Sequence, residues 1–488
     1  MTEPPTLSVT HTDDGASNAE ARRVAPALYL VFEGERPSGG GMRIALAELD
    51  ELRFGRGRER TFTTTGRTAE LLIPDPRMSG KHARLRRLPD GTFLLEDLGS
   101  TNGSFVAQQR VESFAFAGGG EQAFLLGATA FLYAEEETGA GTAAVIDSAS
   151  RKSRPRGMAT LVPHQDEAMP RLLRVALSTL PILLLGPSGS GKEVLARTIH
   201  EISGRAGPFV AINCGALAPA LVEGLLFGHV KGAFSGALKD EPGLIRSAHQ
   251  GTLLLDEIGE LPAAAQATLL RVLQEREVLP VGATKPVPVD VRILSATLRS
   301  IDESPNFRPD LYARISAFVH RIPPLCERKA DLGILVADLL PRVAPEQAEV
   351  TRFAPELVSA LVAHDWPLNV RELEHVLSVA TVTATTALLR MEHVGAALTK
   401  SVKRDPDAAK APSGTPKGPP KSQSDDDEDG DVSRPLSEAE EKTKAELVAM
   451  LEKTSGNVSE VSRLMGKTRM QIHRWAKRFG VDLESFRK

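Results

Sequence analysis

Residues 182–192 read Ile-Leu-Leu-Leu-Gly-Pro-Ser-Gly-Ser-Gly-Lys. Four consecutive apolar residues fit a strand buried on both faces. The glycine-rich turn Gly186, Pro187, Ser188, Gly189, Ser190, Gly191 follows, and KEVLARTIH opens a helix at Lys192. Strand, flexible turn and helix N-terminus form the context of a phosphate-binding loop. Its N–H groups curl round phosphates, the lysine adds a cation and the helix N-terminus favours anions. Glu193 stands where a Ser or Thr would supply a hydroxyl to magnesium. Downstream, Leu253-Leu254-Leu255-Asp256-Glu257 is a second apolar strand, ending in two acids. Asp256 there suits magnesium and Glu257 suits activation of a water for attack on a γ-phosphate. With VRILSAT at 291–297, these strands alternate with helical patterns, which implies an α/β domain with a parallel sheet.

Working outward, the 488 residues suggest about three domains. Residues 1–24 are polar and expected to be disordered. From 25 to 136, LYLVF, TFLLEDL and FLLGATAFLY alternate with turn residues, an all-β sandwich pattern. Residues 137–160 read as a linker, 161–400 as the α/β domain with a helical lid from about 336, and 401–436 as a flexible acidic linker. Residues 437–488 read as a helical domain. No run approaches the ~18 apolar residues of a membrane span, and the N-terminus lacks a secretory pattern. Cys214 and Cys326 cannot build a disulfide framework, so a cytoplasmic setting is expected. The net charge of −4 conceals segregation. Residues 442–488 hold eleven Lys or Arg against five acids, whereas 401–441 hold six against eleven. A basic end beyond an acidic spacer points to DNA.

Over 161–400 the chain resembles the AAA+ activators of sigma-54 RNA polymerase, in which Glu193 after the lysine is usual. The resemblance implies an ATPase using ATP and Mg2+, with Asn213 in FVAINCGAL as the partner that switches Glu257. It implies contact with sigma-54 through Gly232, Ala233, Phe234, Ser235, Gly236 and Ala237, similar to the family's GAFTGA loop with Ser for Thr. Arg308 and Arg314 would act as arginine fingers in a neighbouring subunit, implying a homo-oligomer that is a hexamer when active. WPLNVREL resembles the lid motif that places Arg371 to sense nucleotide, and Asn369 with Glu372 suggests the helix start. Leu298 departs from the polar residue usual at that position.

Over 28–134, Gly55-Arg56, Ser79-Gly80-Lys81-His82 and the run from Asp97 to Gly103 resemble the forkhead-associated (FHA) domain. A phosphate needs a guanidinium and hydroxyl donors, here Arg56, Ser79, Lys81 and Thr101. Peptide backbone needs an amide that both donates and accepts, here Asn102. The resemblance implies binding of a phosphothreonine-containing protein or peptide, with His82 structural.

Near the C-terminus two capping boxes, at Asn457 and Thr468, open helices separated by a three-residue turn. The segment resembles a Fis-type helix-turn-helix. It implies double-stranded DNA contact through Thr468, Arg469, Gln471, His473, Arg474, Lys477 and Arg478, with Arg469 and Gln471 at base edges. The reading as a whole is a phosphothreonine-controlled, ATP-hydrolysing activator of sigma-54 polymerase. The rival is a DNA-bound phosphopeptide scaffold whose ATPase Leu298 has weakened.

Overall fold

A computed structural model of the chain describes residues 23–116, 120–139, 142–151, 154–234, 237–298, 301, 304–395 and 398, and scattered positions between 444 and 486. The chain divides into two compact units, 1–403 and 404–488. In the second unit Leu447, Leu451, Val461 and Phe479 form a small buried cluster. The residues proposed to touch DNA, and Ser235 and Gly236, lie outside the described residues.

The first unit opens with a β-sandwich. Its strands are β1 (Arg23–Glu33), β2 (Met42–Ala45), β3 (Glu51–Arg56), β4 (Thr61–Thr65), β5 (Thr68–Ile73), β6 (Ala83–Arg87) and β7 (Phe93–Asp97). They continue with β8 (Ser104–Val106), β9 (Gln109–Val111), β10 (Ser113–Phe116), β11 (Gln122–Leu126), β12 (Thr129–Thr138) and β13 (Val145–Asp147). One sheet runs β13-β2-β1-β12-β11-β8-β9, the other β10-β7-β6-β3-β5-β4. Between them pack Leu28, Leu30, Phe54, Leu71, Phe93 and Phe131. The linker expected over 137–160 is corrected in part. β12 runs to Thr138, and Val145–Asp147 pairs antiparallel with β2, so the segment extends the sheet.

The α/β module follows as α1 (Pro163–Ala176), β14 (Ile182–Leu185), α2 (Lys192–Ser203), β15 (Phe209–Asn213), α3 (Pro219–Phe227), α4 (Leu244–Ser247) and β16 (Thr252–Asp256). After α5 (Ala263–Glu275) and the ribbon β17 (Glu277–Val278) and β18 (Val287–Pro288) come β19 (Arg292–Thr297), α6 (Pro309–Ile315) and β20 (Phe318–Arg321). Five parallel strands stand in the order β15-β16-β19-β14-β20, as the alternating pattern implies. The lid holds α7 (Leu332–Val343), β21 (Arg352–Phe353), α8 (Pro355–Ala363), α9 (Asn369–Thr383), β22 (Leu388–Leu389) and α10 (Met391–Val394). Its helices begin at Leu332, ahead of the expected 336.

Sandwich and lid share one apolar core. Ala27, Tyr29 and Val31 of β1 and Ala130, Leu132 and Ala134 of β12 point away from the sandwich interior. They pack with Val336, Leu357, Leu361 and Trp366. The two longest strands therefore bury both faces, alternate residues serving two cores. A bulge between Leu30 and Phe32 turns Phe32 to the lid side, where its ring meets Phe353 edge-on at 4.9 Å. The backbone joins as well, the Phe353 N–H donating to the Gly34 carbonyl at 2.8 Å.

Candidate active site

The phosphate loop emerges from β14, whose Ile182, Leu183 and Leu184 are buried in the sheet. Gly189 and Gly191 adopt φ of +73° and +102°, a region closed to most side chains, and this lets the backbone N–H groups converge. A Cβ on Gly189 would also lie 2.3 Å from the Leu368 carbonyl of the lid. Lys192, nearly buried, donates to the carbonyls of Gly186 and Pro187 at 2.8 and 3.1 Å. Burial lowers its ammonium pKa, while Asp256 and Glu257 oppose that shift, so the three groups sense one another across one cleft. Glu193 lines the cleft beside the loop and pairs with Arg197 at 3.3 Å.

Asp256 ends β16 and accepts the Glu257 N–H at 3.0 Å. Glu257 takes φ +53°, a left-handed conformation that costs a non-glycine residue about 1–3 kcal/mol and clusters at functional sites. Asn213 ends the neighbouring strand in register with Asp256. Its amide oxygen accepts from the Gly215 and Ala216 N–H groups at 2.8 and 3.1 Å. A Cβ on Gly215 would stand 2.5 Å from Glu257 Oε2, so the β15 turn and the carboxylate are in close contact. Burial pushes the nearby Cys214 thiol up to about 12, which keeps it protonated and unreactive.

The lid grips this loop. Asn369 is not the helix cap expected. It adopts φ +58°, and its side chain accepts from the Leu325 N–H and donates to the Ser188 carbonyl, at 2.8 and 2.9 Å. Leu368 takes the N-cap position of α9 instead, and Glu372, four residues on, accepts its N–H at 3.0 Å. Arg371 donates to Ser188 Oγ at 3.1 Å. Arg328, absent from the sequence reading, is half-buried and donates to the Ser190 carbonyl at 2.8 Å. Its Nε and the Ser190 Oγ have no hydrogen-bond partner among the described residues, and both residues line the cleft. The charged run Glu327-Arg328-Lys329-Ala330-Asp331, set between apolar stretches, was the available signal.

The cleft encloses about 910 Å3, within the usual range for a small-molecule site, and Leu298 lines it with 44% of its surface exposed. Arg308 stands at the N-cap of α6 and Arg314 in its last turn; both are exposed and do not line the cleft, and Arg308 pairs with Asp310 at 2.7 Å. Phe234 is 46% exposed, its ring 4.9 Å from that of His229, in a turn closed by the Gly232 N–H to Ala237 carbonyl bond.

On the sandwich, Arg56, Lys81, Thr101 and Asn102 are exposed and Ser79 is half-buried. Hydrogen bonds tie Arg56 and Thr101 to Ser79, and Asn102 to the nearby Arg77. The Arg56 N–H donates to the Ser79 carbonyl at 3.0 Å, the Thr101 N–H to Ser79 Oγ at 3.1 Å, and Asn102 Nδ2 to the Arg77 carbonyl at 2.7 Å. Lys81 lies in the same loop. His82 is fully buried, bridging the Ser79 N–H and the Gly103 carbonyl at 3.0 and 3.2 Å, the structural position expected for it.

Fold and site together define an AAA+ P-loop ATPase module joined to an FHA sandwich. Residues 161–320 match the Sigma-54 interaction domain, 326–411 the AAA+ ATPase lid domain and 52–117 the FHA domain. The chain is 33% identical over 358 residues to the transcriptional regulatory protein GlrR of Escherichia coli, covering 70% of this chain and 74% of that one. It is 44% identical over 243 residues to the response regulator protein FleR of Pseudomonas aeruginosa, covering 49% of this chain and only 51% of that relative. Among solved structures, NtrX from Brucella abortus in complex with ATP aligns at 27% identity and a TM-score of 0.45, over 70% and 71% of the two chains. The chain belongs to the family of sigma-54-dependent transcriptional regulators. No helix among the described residues is long and apolar enough to cross a membrane.

Proposed function

We propose that the protein activates transcription by hydrolysing ATP to remodel the closed sigma-54 polymerase–promoter complex. The observation that carries this reading is Glu257, held at positive φ directly after Asp256 and close enough to Lys192 to affect its charge. The loop from Gly186 to Gly191 and Lys192 bind the phosphates, and Glu257 takes the proton of the attacking water. Asp256 would hold Mg2+, which supplies neutralisation of phosphate charge when bound. Glu193, a further ATP-binding candidate, lines the same cleft. Asn213 bears on Glu257 through the β15 turn, and Arg371 reads the phosphates from the lid. Arg308 and Arg314, exposed and away from their own cleft, are available to a neighbouring subunit in a hexamer. The exposed Phe234 loop would meet sigma-54.

Control would come from a phosphothreonine partner held by Arg56, Ser79, Lys81, Thr101 and Asn102, and anchoring to double-stranded DNA from the helix-turn-helix residues. A second reading, a DNA-bound phosphopeptide scaffold with a weakened ATPase, draws support from Leu298, which brings an apolar side chain into the cleft. Steady-state turnover of the full chain separates the two. We expect turnover that rises with protein concentration, and a loss of at least about 100-fold in Glu257→Gln with nucleotide binding retained. Absence of turnover at every concentration, with promoter DNA present, supports the scaffold instead.

A further inference from the structure

The ATPase module does not enclose its cleft alone. Ser38, Gly39 and Gly40 line it, with Ser148 and Ala149 beside them. These residues belong to the sandwich: the first three sit in the turn between β1 and β2, and the other two follow β13. From the lid, α7 contributes Ile334, Leu335 and Asp338. The start of α7 presses on the turn, since a Cβ on Gly333 would lie 2.9 Å from the Gly40 carbonyl.

Arg60 holds that turn from behind. Its side chain is only 3% exposed. Nη1 meets Glu33 Oε1 at 2.6 Å, while Nη2 meets Asp147 Oδ1 at 2.6 Å and the Gly39 carbonyl at 2.8 Å. Glu33, buried at the end of β1, also takes Arg36 Nε at 3.1 Å. Asp147 also accepts the Ala149 N–H at 2.8 Å. The two cleft-lining segments are tied to each other, the Gly41 N–H donating to Ser148 Oγ at 2.9 Å and the Ser148 N–H to the Gly41 carbonyl at 3.0 Å. A planar guanidinium can serve three acceptors in fixed directions, whereas an ammonium is a point charge. No such hub is needed merely to close the sandwich, whose own core lies on the far face of β1.

We propose that Arg60, a residue of the β3–β4 loop, is a positioning residue of the nucleotide site, so that the FHA sandwich completes the ATP cleft of its own chain. The proposal rests on the reading of that cleft as an ATP site.

The test uses the full chain and a fluorescent N-methylanthraniloyl derivative of ATP, with steady-state kinetics in parallel. In Arg60→Met we expect the dissociation constant and KM for ATP to rise about tenfold, the scale of losing a charge-assisted contact, with kcat at saturation little changed. Arg60→Lys should recover part of the loss. Arg58→Met, an exposed arginine of the same loop, should leave both constants unchanged. Should Arg60→Met fail to fold, the pair Arg60→Met with Glu33→Gln removes the fully buried carboxylate that the single variant strands, and carries the same expectation. An unchanged dissociation constant in whichever of these folds overturns the proposal, as does a fall in kcat with KM unmoved. Failure of the unsubstituted chain to bind the probe at all would instead overturn the ATP reading beneath it.

Discussion

Glu257 shows what a sequence reveals about a single residue and what it withholds. Its proposed role could be read from two acids at the end of an apolar strand, a pairing suited to magnesium and to activation of a water. Its left-handed backbone could not, because nothing in Leu-Leu-Asp-Glu-Ile forces positive φ. That conformation comes from packing around it. His320 was passed over altogether, a lone histidine in an apolar strand. It is buried on β20, and burial pushes its pKa down to about 4. The folded chain therefore keeps the ring neutral where the unfolded chain, titrating near 6.5, takes up a proton. His82 is shifted down by burial in the same sense. The stability that depends on neutral His320 is complete above about pH 6.5 and is lost as pH falls toward 4, at a slope of at most about 1.4 kcal/mol per pH unit. Urea unfolding midpoints between about pH 7 and pH 5 should fall, and should fall less steeply in His320→Leu. Equal slopes in the two proteins would show that His320 titrates normally.

At the scale of elements, β1 and β12 are the instructive case. LYLVF and FLLGATAFLY read as apolar runs of a sandwich, and the structure makes β1 of the first and β11 and β12 of the second. Their apolar residues are consecutive rather than alternating, the pattern of a strand covered on both sides. What covers the second side could not be read, because the lid helices begin only at Leu332, far beyond both strands in the chain. Likewise the turn from Ser38 to Gly40 carries no motif, and only its neighbours in space give it a place at the cleft. The junction sets a sharp test at Gly333. Within a helix, Gly→Ala ordinarily stabilises by up to about 1 kcal/mol. Here the new Cβ would lie 2.2 Å from the Val31 carbonyl and 2.9 Å from that of Gly40, both backbone atoms that cannot swing aside. Overpacking of this kind costs about 1–3 kcal/mol, so Gly333→Ala should be net destabilising. Gly224→Ala in α3 meets nothing closer than 3.7 Å and should stabilise. Thermal unfolding of the two variants decides, and a gain in stability at Gly333 would contradict the tight junction.

For the whole molecule, dividing length by the size of an average domain gave three. In the structure the first two share a core and form one compact unit. Cooperative units follow shared burial rather than the borders of motifs. Hydrogen exchange on the intact chain should therefore give the amides of β1 and those of α7 the same opening free energy. Independent opening of the two would show the shared core to be too weak to join them.

The two-sided strands also bear on how such a protein can be built or altered. A reading module hung on a linker can be cut away or exchanged for another without harm to its neighbour. This sandwich cannot, because the surface under Tyr29, Val31 and Phe32 is the interior of the lid. Removing residues before about 160 would leave Leu357, Leu361 and Phe353 facing water, and transplanting a foreign sandwich would bring the wrong shape to meet them. Sandwich and ATPase module are thus bound to vary together, each substitution on one side of the seam constraining what the other side can accept.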